Sequence, residues 1–204
     1  MNYERLVTYG DLIQLNIKCS PKKLFQEIKN FEWQKYNPRT DNPRYGLSIT
    51  SLDGKMCGID LDSLYQYNSE NDTRYNETHF KTFTSLYHMS EEVQKIVNPF
   101  INHIARSHII NLKPGGYFPP HRDLRYAIDQ LAYRIIVPLK NCNPPYMHFK
   151  YENISLQFEH GRAYFLNTNK MHAVFSMRDS YFIVLNVISN NESHKIVLDN
   201  LEIN

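Results

Sequence analysis

Two histidines and an aspartate carry the chemistry that this sequence offers. Residues 111–123 read NLKPGGYFPPHRD, an apolar stretch that breaks at Pro114-Gly115-Gly116 and restarts towards His121-Arg122-Asp123. In extended backbone, residues i and i+2 point to one side. The His121 imidazole and the Asp123 carboxylate therefore share a face, and Arg122 turns away from it. A third ligand on a neighbouring strand completes a face of two imidazoles and one carboxylate, which suits iron(II) and leaves three octahedral positions open for cosubstrate and oxygen. His172, 51 residues beyond His121, is the candidate. The triplet alone is weak evidence, because nine His and 21 acidic residues in 204 yield about one His-x-Asp/Glu triplet by chance. A hydrogen-bonded turn pair after two prolines accounts for it as well.

Strands must deliver these groups, and from Arg106 onward the sequence has their texture. SHIINL, RIIVPL, HFKY, ISLQF, RAYFL, HAVFS and YFIVLNVIS are short apolar or alternating runs separated by Pro, Gly and Asn, the pattern of an antiparallel sandwich or barrel. The first hundred residues read differently. Ser20 and Pro21 mark a helix start, and Leu24, Phe25, Ile28 and Phe31 recur at helical spacing as a core stripe. The passage YNPRTDNPRYG predicts an extended loop before a strand, LSITSL, and the polar, aperiodic YNSENDTRYNETHF predicts a surface loop. A second helix is expected from Ser90, with Glu91 or Glu92 as an approximate capping partner, through EEVQKIV towards Ile104, interrupted at Pro99. The expected fold is mainly β with flanking helices. A jelly-roll core over residues 106–190 is buttressed by a helical and irregular segment over 1–105, in a single domain spanning 1–204.

Composition supports a folded, β-leaning chain: 42% hydrophobic, 13% aromatic, only 7 Gly, with 15 Tyr and 11 Phe. The net charge is +2 and the basic residues are scattered, so no nucleic-acid partner is demanded. MNYERLVTYGDLIQL lacks an apolar run of signal-peptide length, and no stretch approaches the roughly 18 apolar residues of a membrane span. A cytoplasmic protein without a membrane partner is the expectation. Cys19, Cys57 and Cys142 form no CxxC pair and are odd in number, which reads as small apolar fillers. Asn-x-Ser/Thr triplets at Asn71, Asn76, Asn153 and Asn191 carry no weight without a secretory signal.

Three elements, in order, resemble one family. LKPGGYFPPHRD is similar to the segment "Pro-Gly, hydrophobic, Pro-x-His-x-Asp" of the aspartyl/asparaginyl β-hydroxylase-like branch of Fe(II)/2-oxoglutarate-dependent oxygenases, a branch similar in fold to free-proline hydroxylases. Eleven residues after Asp123, Arg134-Ile-Ile-Val-Pro-Leu139 resembles its strand of Arg, alternating hydrophobics, Pro and Leu. HGRAYFLNTNKMHAVFS resembles its element around the distal histidine, and RYGLSITSLDG is similar to segments of phage-borne members. The likeness spans roughly residues 106–188 and implies a double-stranded β-helix, the cupin-like jelly roll. It implies a dioxygenase that hydroxylates an amino-acid side chain, peptide-borne or free, while 2-oxoglutarate is decarboxylated to succinate. The cofactors implied are Fe(II), 2-oxoglutarate and O2, with ascorbate as a candidate reductant.

Carried over residue by residue, the resemblance makes His121, Asp123 and His172 the iron ligands and Arg134 a binder of the 2-oxoglutarate carboxylate. A planar guanidinium suits that task because it grips a carboxylate with two parallel hydrogen bonds. Two positions depart from the family. Phe182 stands where an arginine ten residues after the distal histidine is common, and Ile136 stands where a histidine often follows the strand arginine. Either Arg134 holds the cosubstrate alone, or Arg178 reaches in from the turn SMRDS, or the cosubstrate differs. Tyr117, Phe118 and Tyr133 are pocket or core residues, and Asn167 and Asn169 form the loop before His172 or touch substrate. Arg44 reads as a solvated loop arginine, with a substrate carboxylate as the alternative partner. Oxidation of a nucleobase, and a jelly-roll binding protein that keeps the metal without turnover, are the competing functions.

Overall fold

The computed structural model describes residues 3–56, 58–123 and 132–202. In chain order the strands are Leu12–Lys18 (β1), Gln34–Lys35 (β2), Arg44–Ser48 (β3), Thr50–Ser51 (β4), Thr82–Phe83 (β5), His108–Leu112 (β6), Tyr117–His121 (β7), Ala132–Lys140 (β8), Met147–Tyr151 (β9), Ile154–Ser155 (β10), Arg162–Leu166 (β11), His172–Ser176 (β12) and Ser180–Ile188 (β13). The helices are Tyr3–Val7 (α1), Pro21–Glu27 (α2), Leu64–Asn71 (α3), Ser85–Met89 (α4), Glu91–Val97 (α5) and Asn191–Asp199 (α6), with 3-10 segments at Ile59–Leu61, Glu77–His79 and Asn98–His103.

From β6 to β13 the chain shuttles between two antiparallel sheets. β6, β8, β11 and β13 lie in a large sheet of order β1-β11-β8-β13-β6-β3-β2, and β7, β9, β10 and β12 form a small sheet of order β10-β9-β12-β7. This is the expected jelly roll. Period-two alternation sorts the side chains of each strand. Along β13, Phe182 joins a cluster with Ile110, Ile136, Phe149 and Val174 between the sheets. Ile183, Leu185 and Val187 face the other way, into a core shared with Leu24, Val93, Ile96 and Phe100 of the helical layer.

The helices have nine residues at most, below the roughly 12–15 needed for a helix to persist alone. Packing on the outer face of the large sheet holds α1, α2, α4, α5 and α6, at about 1.5–3 kcal/mol per buried large apolar side chain. α2 and α5 also cap each other. Ser90 accepts from Val93 N, as expected, but its hydroxyl donates to Glu27 of α2, and Glu92 accepts from Ser20 N at the start of α2 (2.6 Å). The capping partner thus comes from a neighbouring helix rather than from the same turn.

The N-terminal segment departs from a purely helical and irregular buttress. It supplies β1 to one edge of the large sheet and β3 and β2 to the other. The signal for β1 was the alternation in LIQLNIK, buried at every second residue. The expected loop at residues 67–80 contains most of α3 and a 3-10 turn; α3 buries no residue, so it shows no apolar period. The helix expected to Phe31 stops at Glu27, and the one expected to Ile104 becomes 3-10 from Asn98, next to Pro99. ISLQF pairs only at Ile154-Ser155, because the Asn143 side chain takes both Phe158 N–H and C=O (2.8 and 2.9 Å). Cys142 is buried and Cys19 partly so, and burial pushes both thiols up to about 12, as befits inert fillers; Cys57 lies outside the described residues. Among the described residues no helix is long and apolar enough to cross a membrane.

Gly161 joins the two halves. It has φ +84°, its N–H donates to Pro138 O and its carbonyl accepts from Cys19 N, and a Cβ there would lie 2.5 Å from the Cys19 carbonyl oxygen. Gly161→Ala is expected to destabilise the fold by about 1–3 kcal/mol. Urea unfolding checks this; an unchanged midpoint would mean that the β1–β11 junction relaxes without cost.

Candidate metal centre

β7 ends at His121 and β12 begins at His172, and the two residues are direct partners across the ladder. Next along, Phe118 rather than Pro119 pairs with Val174, so Pro119 and Pro120 together oppose Ala173. This is a β-bulge, which re-aims side chains beside it. It lets Phe118 and His121, three residues apart, both line the space between the sheets. Asp123 follows at i+2 with Arg122 exposed, as the extended spacing predicts. One donor atom from each of His121, Asp123 and His172 lies within 4.8 Å of the others, and His121 Nε2 is 3.6 Å from Asp123 Oδ1.

Both imidazoles are held in one tautomer by the same local device. His121 Nδ1 is 2.7 Å from Pro119 O and His172 Nδ1 is 2.9 Å from Lys170 O. A carbonyl oxygen only accepts, so each Nδ1 carries a proton, and in the neutral ring it is Nε2 that holds the lone pair a metal would take. Burial, the largest effect, lowers the His172 pKa and favours the neutral ligand form. Burial opposes ionisation of Asp123, yet Arg134, His172, a hydrogen bond from Thr168 and His121 outweigh it, and the carboxyl stays below its ordinary value. Two neutral imidazoles and a carboxylate fit a divalent ion of the iron(II) class.

The three residues open onto a cavity of about 130 Å³ between the sheets. Its wall is polar near the triad and apolar farther along. Arg134 Nε lies 3.4 Å from Asp123 Oδ2 and Nη2 lies 3.9 Å from Glu77 Oε1. Arg106 is spoken for: it donates to the Asp60 and Asp62 carbonyls (both 2.6 Å) and lies 3.5 Å from Glu77. Asn186, opposite Arg134 in the ladder, donates to Glu77 Oε2 (2.9 Å) and to the Arg106 carbonyl. Burial, reinforced by Arg106 and Arg134, pushes His108 well below its ordinary pKa, so it is neutral. His108 Nδ1 and Asn186 Oδ1 are buried without a partner among the described residues. Four residues along β13 from Asn186, Phe182 faces the apolar part with Ile110 and Phe149.

Of the residues singled out in the sequence, Arg134, Phe118, Ile136 and Phe182 line this cavity beside the triad. Arg178 does not: it is exposed in the turn beyond the far end of β12. Tyr133 is core, its hydroxyl donating to Ser193 O, and Tyr117 is exposed. Asn167 builds the loop, bonded to Tyr3 and Asp11 on one side and Tyr151 on the other. Arg44 is corrected outright: it is buried on β3, not solvated in a loop. Thr168, Glu77, Arg106, His108 and Asn186 were not singled out. Polar residues at the inward parity of apolar strands, His108 with Ile110 and Asn186 with Phe182 and Val184, were the available signal; Glu77 and Thr168 had none.

No family model matches the sequence, and no curated protein matches it. Solved structures give distant likenesses. A Pseudomonas putida prolyl-4-hydroxylase is 10% identical, with 91% of this chain and 96% of that chain covered at a TM-score of 0.49. A prolyl hydroxylase from Trichoplax adhaerens, in complex with a hypoxia inducible factor peptide fragment, is 14% identical over 92% of this chain and 88% of that chain, TM-score 0.49. KdgF from Halomonas sp. is 10% identical over 81% and 94%, TM-score 0.39. The fold assignment rests on the strand order described above.

Proposed function

We propose that the chain is an Fe(II)- and 2-oxoglutarate-dependent dioxygenase that hydroxylates an amino-acid side chain. The observation that carries the reading is the His121–Asp123–His172 set, with both Nε2 atoms available, at the polar end of a cavity inside a jelly roll. Oxygen would be the oxidant: with iron(II) bound, oxidative decarboxylation of 2-oxoglutarate to succinate and carbon dioxide would take up one oxygen atom, and the other would be inserted into a C–H bond.

Charge balance supports a dianionic cosubstrate. The cavity is lined by two carboxylates, Glu77 and Asp123, and two guanidinium groups, Arg106 and Arg134, which cancel; His121 and His172 would be neutral as metal ligands, and burial keeps His108 neutral. A divalent metal leaves a surplus of two positive charges, matched by two carboxylates. Arg134 is the residue assigned to a cosubstrate carboxylate, since Arg106 is already committed to Asp60, Asp62 and Glu77 and Arg178 lies outside the cavity. Glu77 and Asn186 hold Arg134 in place from one side and Asp123 from the other. The apolar wall of Ile110, Ile136, Phe149 and Phe182 keeps water from the reacting C–H bond. One feature favours the binding-protein alternative: the apolar Phe182 lines the cavity from β13 and Arg178 does not line it.

Three outcomes are expected. Anaerobic titration of iron-loaded protein with 2-oxoglutarate gives a weak visible charge-transfer band, and admitting oxygen releases succinate; neither signal would leave a metal-holding binding protein. His172→Ala lowers cobalt(II) affinity at least about 100-fold, read from the metal's visible spectrum, and an unchanged affinity would remove His172 from the ligand set. Arg134→Ala weakens 2-oxoglutarate binding roughly 10- to 150-fold with iron binding retained, whereas Arg178→Ala changes neither. A selective loss in the Arg178 variant would reverse that assignment.

A further inference from the structure

Arg44 is a buried cation to which no described residue supplies a counter-charge. It is 7% exposed, Nε has no hydrogen-bond partner, and it makes no ion pair among the described residues. Its guanidinium carbon lies 4.6 Å from the Phe118 ring centroid and 5.2 Å from that of Tyr36. Those rings satisfy the faces of the guanidinium but not the N–H groups in its plane. Burial lowers its pKa, the sign of a charge without compensation. Folded proteins rarely keep a buried charge unpaired.

The same side chain lines a second groove with Asn37, Asp41, Asn42, Tyr117 and Pro119. The Asn42 amide donates to Tyr117 O (2.8 Å) and accepts from Tyr117 N (3.1 Å), fixing the 37–43 loop to β7. Asp41, on the rim, is exposed and does not pair with Arg44. Tyr36 and Phe118, the rings on Arg44, also line the metal cavity, so the groove and the cavity share a wall.

We infer that Arg44 binds a carboxylate of the substrate, which enters through the groove and reaches over the Tyr36–Phe118 wall to the metal cavity. A planar, two-donor edge between aromatic rings matches a planar carboxylate. Across the bulge, Phe118 and His121 face Val174 and His172, two residues apart and so roughly 7 Å of strand. The anchored carboxylate is therefore about two extended residues from the triad, a span that a peptide segment bearing an acidic side chain or C-terminus covers. This span rests on the oxygenase reading; the carboxylate site does not.

The test is thermal unfolding of the metal-free full chain at constant ionic strength, with acetate, phosphate or chloride as the varied anion. Acetate is expected to raise the midpoint saturably, by a few degrees over chloride, in the native protein and not in Arg44→Gln or Arg44→Met. Acetate equal to chloride, or an equal response in native protein and variants, overturns the assignment. A response to phosphate alone also overturns it, in favour of a phosphoryl ligand. In iron-loaded protein, 2-oxoglutarate binding is expected to survive Arg44→Gln. Its loss would assign Arg44 to the cosubstrate and overturn the substrate role, while protein that never binds 2-oxoglutarate but keeps the acetate response would refute the oxygenase reading alone.

Discussion

The pairing of β7 with β12 is the contact on which the site depends. A ladder slip of one residue sends every side chain of a strand to the opposite face. Here His121 and His172 are opposite each other, and the two-against-one bulge at Pro119-Pro120 corrects the parity so that Phe118 still faces inward. Without the extra residue, either the ligand or the aromatic wall would face solvent. The neighbouring strand β9 then sets His172 against Phe149, ring planes 15° apart at 6.3 Å. Everything else in the cavity is arranged around these two strand ends.

Electrostatics adds a second layer of order. Four charged side chains meet in a half-buried space where an unmatched charge would cost several kcal/mol, and they do so as alternating signs: Arg106, Glu77, Arg134, Asp123. Glu77 belongs to the N-terminal segment, Arg106 precedes β6, Arg134 is in β8 and Asp123 follows β7. The chain of ion pairs therefore ties four remote stretches of sequence to one point. Arg106 anchors the 58–80 region through the Asp60 and Asp62 carbonyls and lies over the Phe80 ring at 5.5 Å.

Much of this was legible in the residues. The i, i+2 spacing of His121 and Asp123 follows from strand geometry, whereas singling out Arg134 and weighting His172 above chance needed the family resemblance of the segments around them. Seven of the eight strands from β6 to β13 were visible as short apolar runs, and β7 as the restart after the Pro114-Gly115-Gly116 turn. What was not legible is what long-range contact decides. Thr168 sits between two asparagines that looked more informative, and only the fold brings it to Asp123. Glu77 lies in a polar stretch without period. Arg44 follows a proline in a loop-like passage, and its burial arises because β3 pairs with β6 and is covered by the Tyr36 and Phe118 rings.

The bulge has a consequence for intermolecular contacts. β7 ends the small sheet, and such a strand ordinarily offers a row of amide hydrogens and carbonyls to any extended chain that approaches. Pro119 and Pro120 carry no amide hydrogen, and the Tyr117 backbone groups are already taken by Asn42. The border of the small sheet beside His121 is thus mute as a template. It resists accretion of a foreign strand and sheet-to-sheet aggregation along that edge.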